Sequence, residues 1–286
     1  PGAETGEDIM TAAESKPVFG FIGTGNMGSA LARAVCRRVE GERVLLSNRT
    51  QAKAEALAAG LGCKALGDNQ AVAARATYLF LGVKPQGMAP LLEELAPTLA
   101  AREGRLILVN MAAGLGIGDI QRMAGAKYPV ILLKPNTPAA IGEGMTLYLS
   151  SPEVTPEEEA VFLDAMQASG RLAPLPENLM DIGGVLAGCG PAFVDMFLEA
   201  LADGGVACGL PRAMAVELAA QMTAGAARLV LESGKHPGQL KDEVCSPGGV
   251  TIQGVRKLEE KGLRSAVMEA VIAVYEKNEE MGKGST

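Results

Sequence analysis

The residues able to do chemistry in this chain are few, and one short stretch gathers several of them. Glu243 to Gly254, EVCSPGGVTIQG, interrupts a half of the sequence that otherwise reads as helices. Pro247-Gly248-Gly249 breaks a helix, and Val250, Thr251 and Ile252 are β-branched and poor helix formers. A turn of this kind exposes consecutive N–H groups, and a helix opening after it adds the positive end of its dipole, a combination that suits a carboxylate. Gly248 and Gly249 permit a close approach that a side chain would block. Ser246 and Thr251 add hydroxyls, and Thr251 can donate a hydrogen bond or relay a proton; helix capping is its alternative role. Elsewhere such groups are scarce. The chain has one histidine, His236, beside Pro237-Gly238, where it reads as a loop residue. A multi-histidine metal site is thereby excluded, and a Ser-His-Asp triad could draw on that residue alone. Cys36, Cys63, Cys189, Cys208 and Cys245 are scattered without a C-x-x-C pair and are expected to be reduced and buried as small apolar residues. Chemistry that relies on so few acids and bases points to a cofactor.

A second glycine pattern suits one. GFIGTGNMG sets Gly23, Gly25 and Gly28 as G-x-G-x-x-G between a strand and an amphipathic segment. The first glycine permits the tight turn, the second lets a pyrophosphate approach, and the third lets helix and strand pack closely. About 20 residues further on, an NAD site usually places a carboxylate for the ribose 2′-OH. Here stand Ser47, Asn48, Arg49 and Thr50, with a cation where the acid would be. This predicts NADP(H) over NAD(H), with NADPH preferred and NADH accepted. Val83-Lys84-Pro85 and Ala112-Ala113-Gly114 end two further strands, where ligands of open α/β sheets lie. The loop KPNTP, residues 134–138, follows another strand, and Asn136 and Thr137 could bond a nicotinamide carboxamide.

The elements needed to hold these residues are legible as two halves. VFGFIG (18–23), RVLLS (43–47), TYLFLGV (77–83), RLILVN (105–110), PVILL (129–133) and MTLYLS (145–150) read as strands alternating with helices, including one from Pro90 to Ala101. Such alternation predicts a mostly parallel sheet. Strands stop near Leu175. From Leu179 the pattern is helical, with stripes at Phe193, Phe197 and Leu201, at Met214, Leu218, Met222 and Leu229, and at Val267, Val271 and Val274. The expected organisation is a leader over 1–16, an α/β domain over 17–175 and a helical domain over 176–286. Long apolar stripes imply a symmetric homo-oligomer built on the helical domain. At 286 residues and 48% hydrophobic content, two cores are feasible. A net charge of −7 argues against a general nucleic-acid binder. No unbroken apolar run reaches the roughly 18 residues of a membrane helix, and the acidic N-terminus does not resemble a signal peptide. A cytoplasmic protein is expected.

Taken together, GFIGTGNMGSALA, SNRT, VKPQ, PNTPA, AGCGPAF, LADGGVACGLPR and HPGQLKDEVCSPGGVTIQGVRKLEEKGLRSAVMEA resemble the Δ1-pyrroline-5-carboxylate reductase family over residues 18–281. The SPGG-x-T segment is the most specific of these motifs. The resemblance implies an N-terminal Rossmann dinucleotide-binding domain and an all-helical C-terminal dimerisation domain. It implies NAD(P)H-dependent reduction of a cyclic imine to L-proline, and dimers that assemble into larger rings, commonly decamers. By the same resemblance Ile22, Gly23, Thr24, Gly25, Asn26 and Met27 form the phosphate loop, and Asn69 meets the adenosine ribose region. Val83, Lys84 and Ala113 line the cofactor, Glu177 lies near the substrate, and Val250 and Thr251 bind it. The family's interlocking helical domains imply a pocket shared between subunits. The chain departs from the family pattern at Leu132 and Lys134, where R-x-M-P-N is usual, and at Cys189, Phe193 and Val250.

Reduction of a five-membered imine fits the scarcity of histidine. It needs a held carboxylate, a C=N placed over the hydride donor and one hydrogen-bonding group at nitrogen; positioning alone can supply roughly 7–11 kcal/mol of barrier reduction. Three other readings compete. A β-hydroxyacid dehydrogenase would carry a G-x-x-x-N-K pattern, which is absent. A reductase of another cyclic imine is not separable by sequence. A non-catalytic NADP(H)-binding regulator would have no need of an intact SPGG-x-T turn.

Overall fold

The structure, a computed structural model, describes residues 16–283. The expected leader lies outside the described residues except for Lys16, which pairs with Glu40 at 3.2 Å. The chain divides between Pro176 and Glu177 into two units.

In the first unit β1 (Phe19–Ile22) leads into α1 (Asn26–Cys36), β2 (Val44–Ser47) into α2 (Gln51–Leu61), and β3 (Lys64–Ala65) into α3 (Asn69–Arg75). There follow β4 (Tyr78–Leu81), α4 (Met88–Ala101), β5 (Ile107–Asn110), α5 (Ile117–Met123), β6 (Val130–Lys134), β7 (Gly144–Ser150), α6 (Pro156–Met166) and β8 (Gly170–Pro174). The sheet order is β3-β2-β1-β4-β5-β6-β7-β8. Strands β1 to β6 are parallel, whereas β7 and β8 run the other way. The strand order reverses between β1 and β4, the place where open α/β sheets take their ligands.

Both faces of the sheet are covered, so its strands are apolar throughout rather than alternating. Phe19 and Phe21 stand opposite Tyr78 and Phe80 in register. Their rings stack with centroids 4.9 and 4.2 Å apart on one face. Ile22, Leu79 and Leu81 pack with α3 and α4 residues on the other. The short strands β3 and β8 were not legible in the sequence. The first has two residues; the second ends in Pro174 and exposes Arg171, as an edge strand tolerates.

Helix α6 is fixed by a charged clasp. Thr155 accepts a hydrogen bond from the Glu158 N–H, and the Glu158 carboxylate accepts one from the Thr155 N–H. The same carboxylate takes a two-pronged Arg105 at 2.5 and 2.9 Å. That hydrogen bonding holds the Glu158 carboxyl below its usual range against the opposing effect of burial. Its contribution is therefore present above the unfolded carboxyl pKa and is lost as pH falls through the depressed folded value. Glu158→Gln is expected to cost about 1–2 kcal/mol at neutral pH, the scale of one charge-assisted bond beside a half-exposed arginine. Urea titrations at pH 7 and pH 3 check this, since the difference between variant and parent narrows at the lower pH.

The second unit is all helix: α7 (Glu177–Ala207), α8 (Arg212–Ser233), α9 (Pro237–Glu243), α10 (Val250–Glu260) and α11 (Leu263–Lys283). Its apolar stripes are not buried within the chain. Met214, Leu218, Met222 and Leu229 on α8 are each at least half exposed. By length and composition α7 and α8 each reach what a membrane crossing requires. They do so on average hydropathy and not as unbroken apolar runs, because isolated acidic residues such as Asp195 and Glu199 interrupt the runs without abolishing their average. The cysteines depart from expectation. Four are half-buried and Cys208 is exposed, since they sit at helix ends or in this thinly packed unit. The Cys36 thiol hydrogen-bonds to Cys63, which holds the Cys63 thiol below its ordinary value and pushes that of Cys36 up.

Candidate active site

The phosphate loop is shaped by contacts at one carbonyl. Gly23 turns at φ +91°, and its oxygen sits where a side chain on either Gly28 or Gly82 would have to be. A Cβ on Gly82 would lie 2.5 Å from it. The first and third glycines of the motif therefore weld the end of β1 to α1 and to the end of β4. The middle glycine is different: a Cβ built on Gly25 meets nothing within 4 Å, so the space in front of it is open. Gly25 is also the N-cap of α1, whose first turn has no side-chain cap and no acidic residue. Asn26 is exposed and Met27 half-buried at that helix start, while Ile22 is buried at the strand end. Thr24 is 8% exposed, and its Oγ1 is buried without a hydrogen-bond partner among the described residues. An open cradle with an unpartnered hydroxyl beside bare helix N–H groups fits a dinucleotide pyrophosphate.

The loops around it are tied to one another. Asn48 Oδ1 accepts the Thr24 N–H at 3.1 Å, and Asn48 Nδ2 donates to the Thr50 carbonyl at 3.1 Å. Arg49, between these anchors, is exposed and makes no ion pair or hydrogen bond among the described residues. Ser47 is buried and donates to Asn69 Oδ1 at 2.9 Å, fixing Asn69 at the start of α3 beside the end of β2. Beyond β4, Val83 is half-buried, and Lys84 and Pro85 are exposed in the turn before α4. Ala113 is exposed in the loop after β5. Asn136 is buried, and its Oδ1 accepts the Met145 N–H at 2.9 Å. Its side chain thus braces the 134–138 loop against β7, while Thr137 remains exposed. Leu132 is 5% exposed, in register between Asn110 and Leu149, so an apolar residue matches its surroundings.

Asn110 is the residue that sequence reading missed. It is fully buried at the end of β5 and bonds both sides of the following loop. The available signal was an amide closing an otherwise apolar strand.

In the second unit the SPGG turn runs directly into α10. Val250, Thr251 and Ile252 are its first turn rather than an irregular segment, because the break lies wholly in Pro247 to Gly249. Gly248 turns at φ +71°, and a Cβ on Gly249 would come within 2.5 Å of Ser246 Oγ. Gly249 is the N-cap and no side chain caps the helix, so the Thr251 hydroxyl is not used for capping. Val250 is 89% exposed, and Ser246 and Thr251 are exposed. Glu177 is exposed at the first position of α7, and among the described residues no hydrogen bond or ion pair joins it to the turn. His236 caps α9, its Nδ1 accepting the Gly238 N–H at 3.1 Å.

Strand order and glycine geometry define a dinucleotide-binding α/β protein carrying a separate helical unit. Comparison with known proteins narrows this class. Residues 177–281 match the family described as pyrroline-5-carboxylate reductase dimerisation, and residues 18–114 match that described as NADP oxidoreductase coenzyme F420-dependent. The pyrroline-5-carboxylate reductases of Synechocystis sp. and Escherichia coli are each 40% identical over 267 residues, covering 93% of this chain and 98% of theirs. The crystal structure of Plasmodium falciparum pyrroline carboxylate reductase with NADP bound is 31% identical, with a TM-score of 0.81 over 93% of this chain and 98% of that one. The chain belongs to the pyrroline-5-carboxylate reductase family. Its helical unit is a dimerisation domain.

Proposed function

We propose that this chain reduces the C=N bond of Δ1-pyrroline-5-carboxylate with NADPH, giving proline. One observation carries the reading: the chain aligns almost end to end with reductases of that name and keeps both an open dinucleotide cradle and the SPGG-x-T turn. NADPH, when bound, supplies the hydride. The N–H groups at the start of α1 and the Thr24 hydroxyl hold the pyrophosphate, and Arg49 pairs with the 2′-phosphate. Ser47 holds Asn69 toward the adenosine ribose, and Val83, Lys84, Pro85 and Ala113 line the cofactor. In the second unit the N–H groups from Gly248 to Thr251 and the Ser246 hydroxyl bind the substrate carboxylate. Thr251 Oγ1 donates to the ring nitrogen, favouring its protonated, more electrophilic form, with Glu177 adding negative charge nearby. A ring of dimers, up to a decamer, and operation in the cytoplasm complete the proposal; the five unpaired cysteines support the latter.

The test is loss of NADPH absorbance on adding the imine, with NADH in parallel and proline assayed as product. The expected result is oxidation matched by proline, faster with NADPH. Tight NADPH binding without turnover of any five- or six-membered imine would instead make the chain a regulator.

A further inference from the structure

We infer that Asn110 is a positioning residue for the cofactor site, acting through the loop between β5 and α5. Its side chain is 0% exposed and uses both ends of its amide locally. Oδ1 accepts the Ala112 N–H at 2.9 Å, and Nδ2 donates to the Leu115 carbonyl at 2.8 Å. These two bonds close residues 111–115 into a small ring whose outer edge is Ala113, with Gly114 at φ +76° completing the bend. No regular element intervenes before α5 begins at Ile117, where the Asp119 carboxylate accepts the Gly116 N–H; Met111, Ala112 and Leu115 pack on the cores, and the Asn110 amide supplies the side-chain hydrogen bonds that close the loop between them.

The loop also bears on the phosphate loop. A Cβ on Gly82 would come within 3.2 Å of Met111 Cε and 2.5 Å of the Gly23 oxygen. Gly82 is thus wedged between the start of the Asn110 loop and the first glycine of the dinucleotide motif. Loosening the loop releases Met111 from Gly82 and moves Ala113. Asn110 therefore sets cofactor affinity without touching the cofactor. A buried amide is costly unless each group is paired, and both pairings here go to the loop rather than to the sheet core.

This inference rests on the reading that Ala113 lines the NADPH site, and its test separates the two. Asn110→Ala removes both bonds. Asn110→Ser can still accept from the Ala112 N–H but cannot reach Leu115, and it retains a fold if the alanine variant does not. NADPH affinity is measured by the enhancement of its own fluorescence in the full-length protein, together with KM for each substrate and hydrogen exchange of the 112–116 amides. Expected are a roughly tenfold weaker NADPH Kd and higher NADPH KM for Asn110→Ala, a smaller change for Asn110→Ser, an unmoved KM for the imine, and faster exchange confined to the loop. A general loss of packing would lower the melting temperature and raise exchange throughout β5 instead, and that overturns the inference. So do folded variants with wild-type NADPH affinity. Faster loop exchange with unaltered affinity leaves Asn110 as a loop anchor and removes Ala113 from the cofactor site, whereas wild-type protein that fails to bind NADPH overturns the cofactor reading itself.

Discussion

Thr251→Ala lowers kcat/KM for the imine ten- to a hundredfold and leaves NADPH affinity unchanged. The magnitude follows from one hydrogen bond to a nitrogen that is charged when reactive, about 1.5–3 kcal/mol. The structure removes the main competing explanation. Gly249 caps α10 without a side chain, so the Thr251 hydroxyl contributes nothing to the cap. Alanine is also the better helix former at an exposed first-turn position. The melting temperature of the variant therefore does not fall, and any loss of activity belongs to chemistry. Thr251→Ser, which keeps the hydroxyl, restores most of the rate. Steady-state kinetics on the three proteins decide the matter. An alanine variant as fast as its parent would leave the turn as a carboxylate cradle and nothing more.

Arg49→Gln raises the KM for NADPH ten- to a hundredfold while changing that for NADH less than twofold. Arg49 is flanked by fixed residues. Ser47 is buried behind it, and Asn48 is bonded to the phosphate loop on one side and Thr50 on the other. A guanidinium on so anchored a loop, with no acidic partner among the described residues, is available to a phosphate. A charge-assisted contact of about 1.5–3 kcal/mol gives the stated range, and exposure makes it shrink at high salt. Parallel kinetics with both cofactors at low and high ionic strength provide the check. If both KM values rose together, Arg49 would be supporting the loop rather than reading the 2′-phosphate.

The two units differ in how much of them the sequence reveals. β1, β2, β4, β5, β6 and β7 are legible because each is an apolar run bounded by polar turns, and the G-x-G-x-x-G spacing locates the ligand end of the sheet. β3 and β8 escape because their pairing depends on neighbours rather than on their own composition: Lys64 and Ala65 pair with Leu45 and Leu46, and Arg171 with Met145. In the site, glycines and hydroxyls can be read from spacing, since their roles follow from size and backbone freedom. The amides cannot. Asn48, Asn110 and Asn136 each accept a backbone N–H that their spacing does not reveal, from Thr24 in the phosphate loop, from Ala112 in the loop after β5 and from Met145 in β7. Which partner an amide takes is decided by loop closure, a tertiary matter. Helix amphipathicity in the second unit shows which faces are apolar, but not that they remain uncovered within one chain.

Those uncovered faces have a thermodynamic consequence. Among the described residues of the second unit, the buried apolar ones are Met180, Val185, Ala202, Ala215 and Ala219. Three alanines and two larger side chains are a meagre interior for five helices. Most of the free energy that folds this unit must come from the surfaces it shares with a second copy. Folding and association of this unit are then a single equilibrium, and its resistance to heat or denaturant is a function of protein concentration, whereas the α/β unit rests on cores of its own.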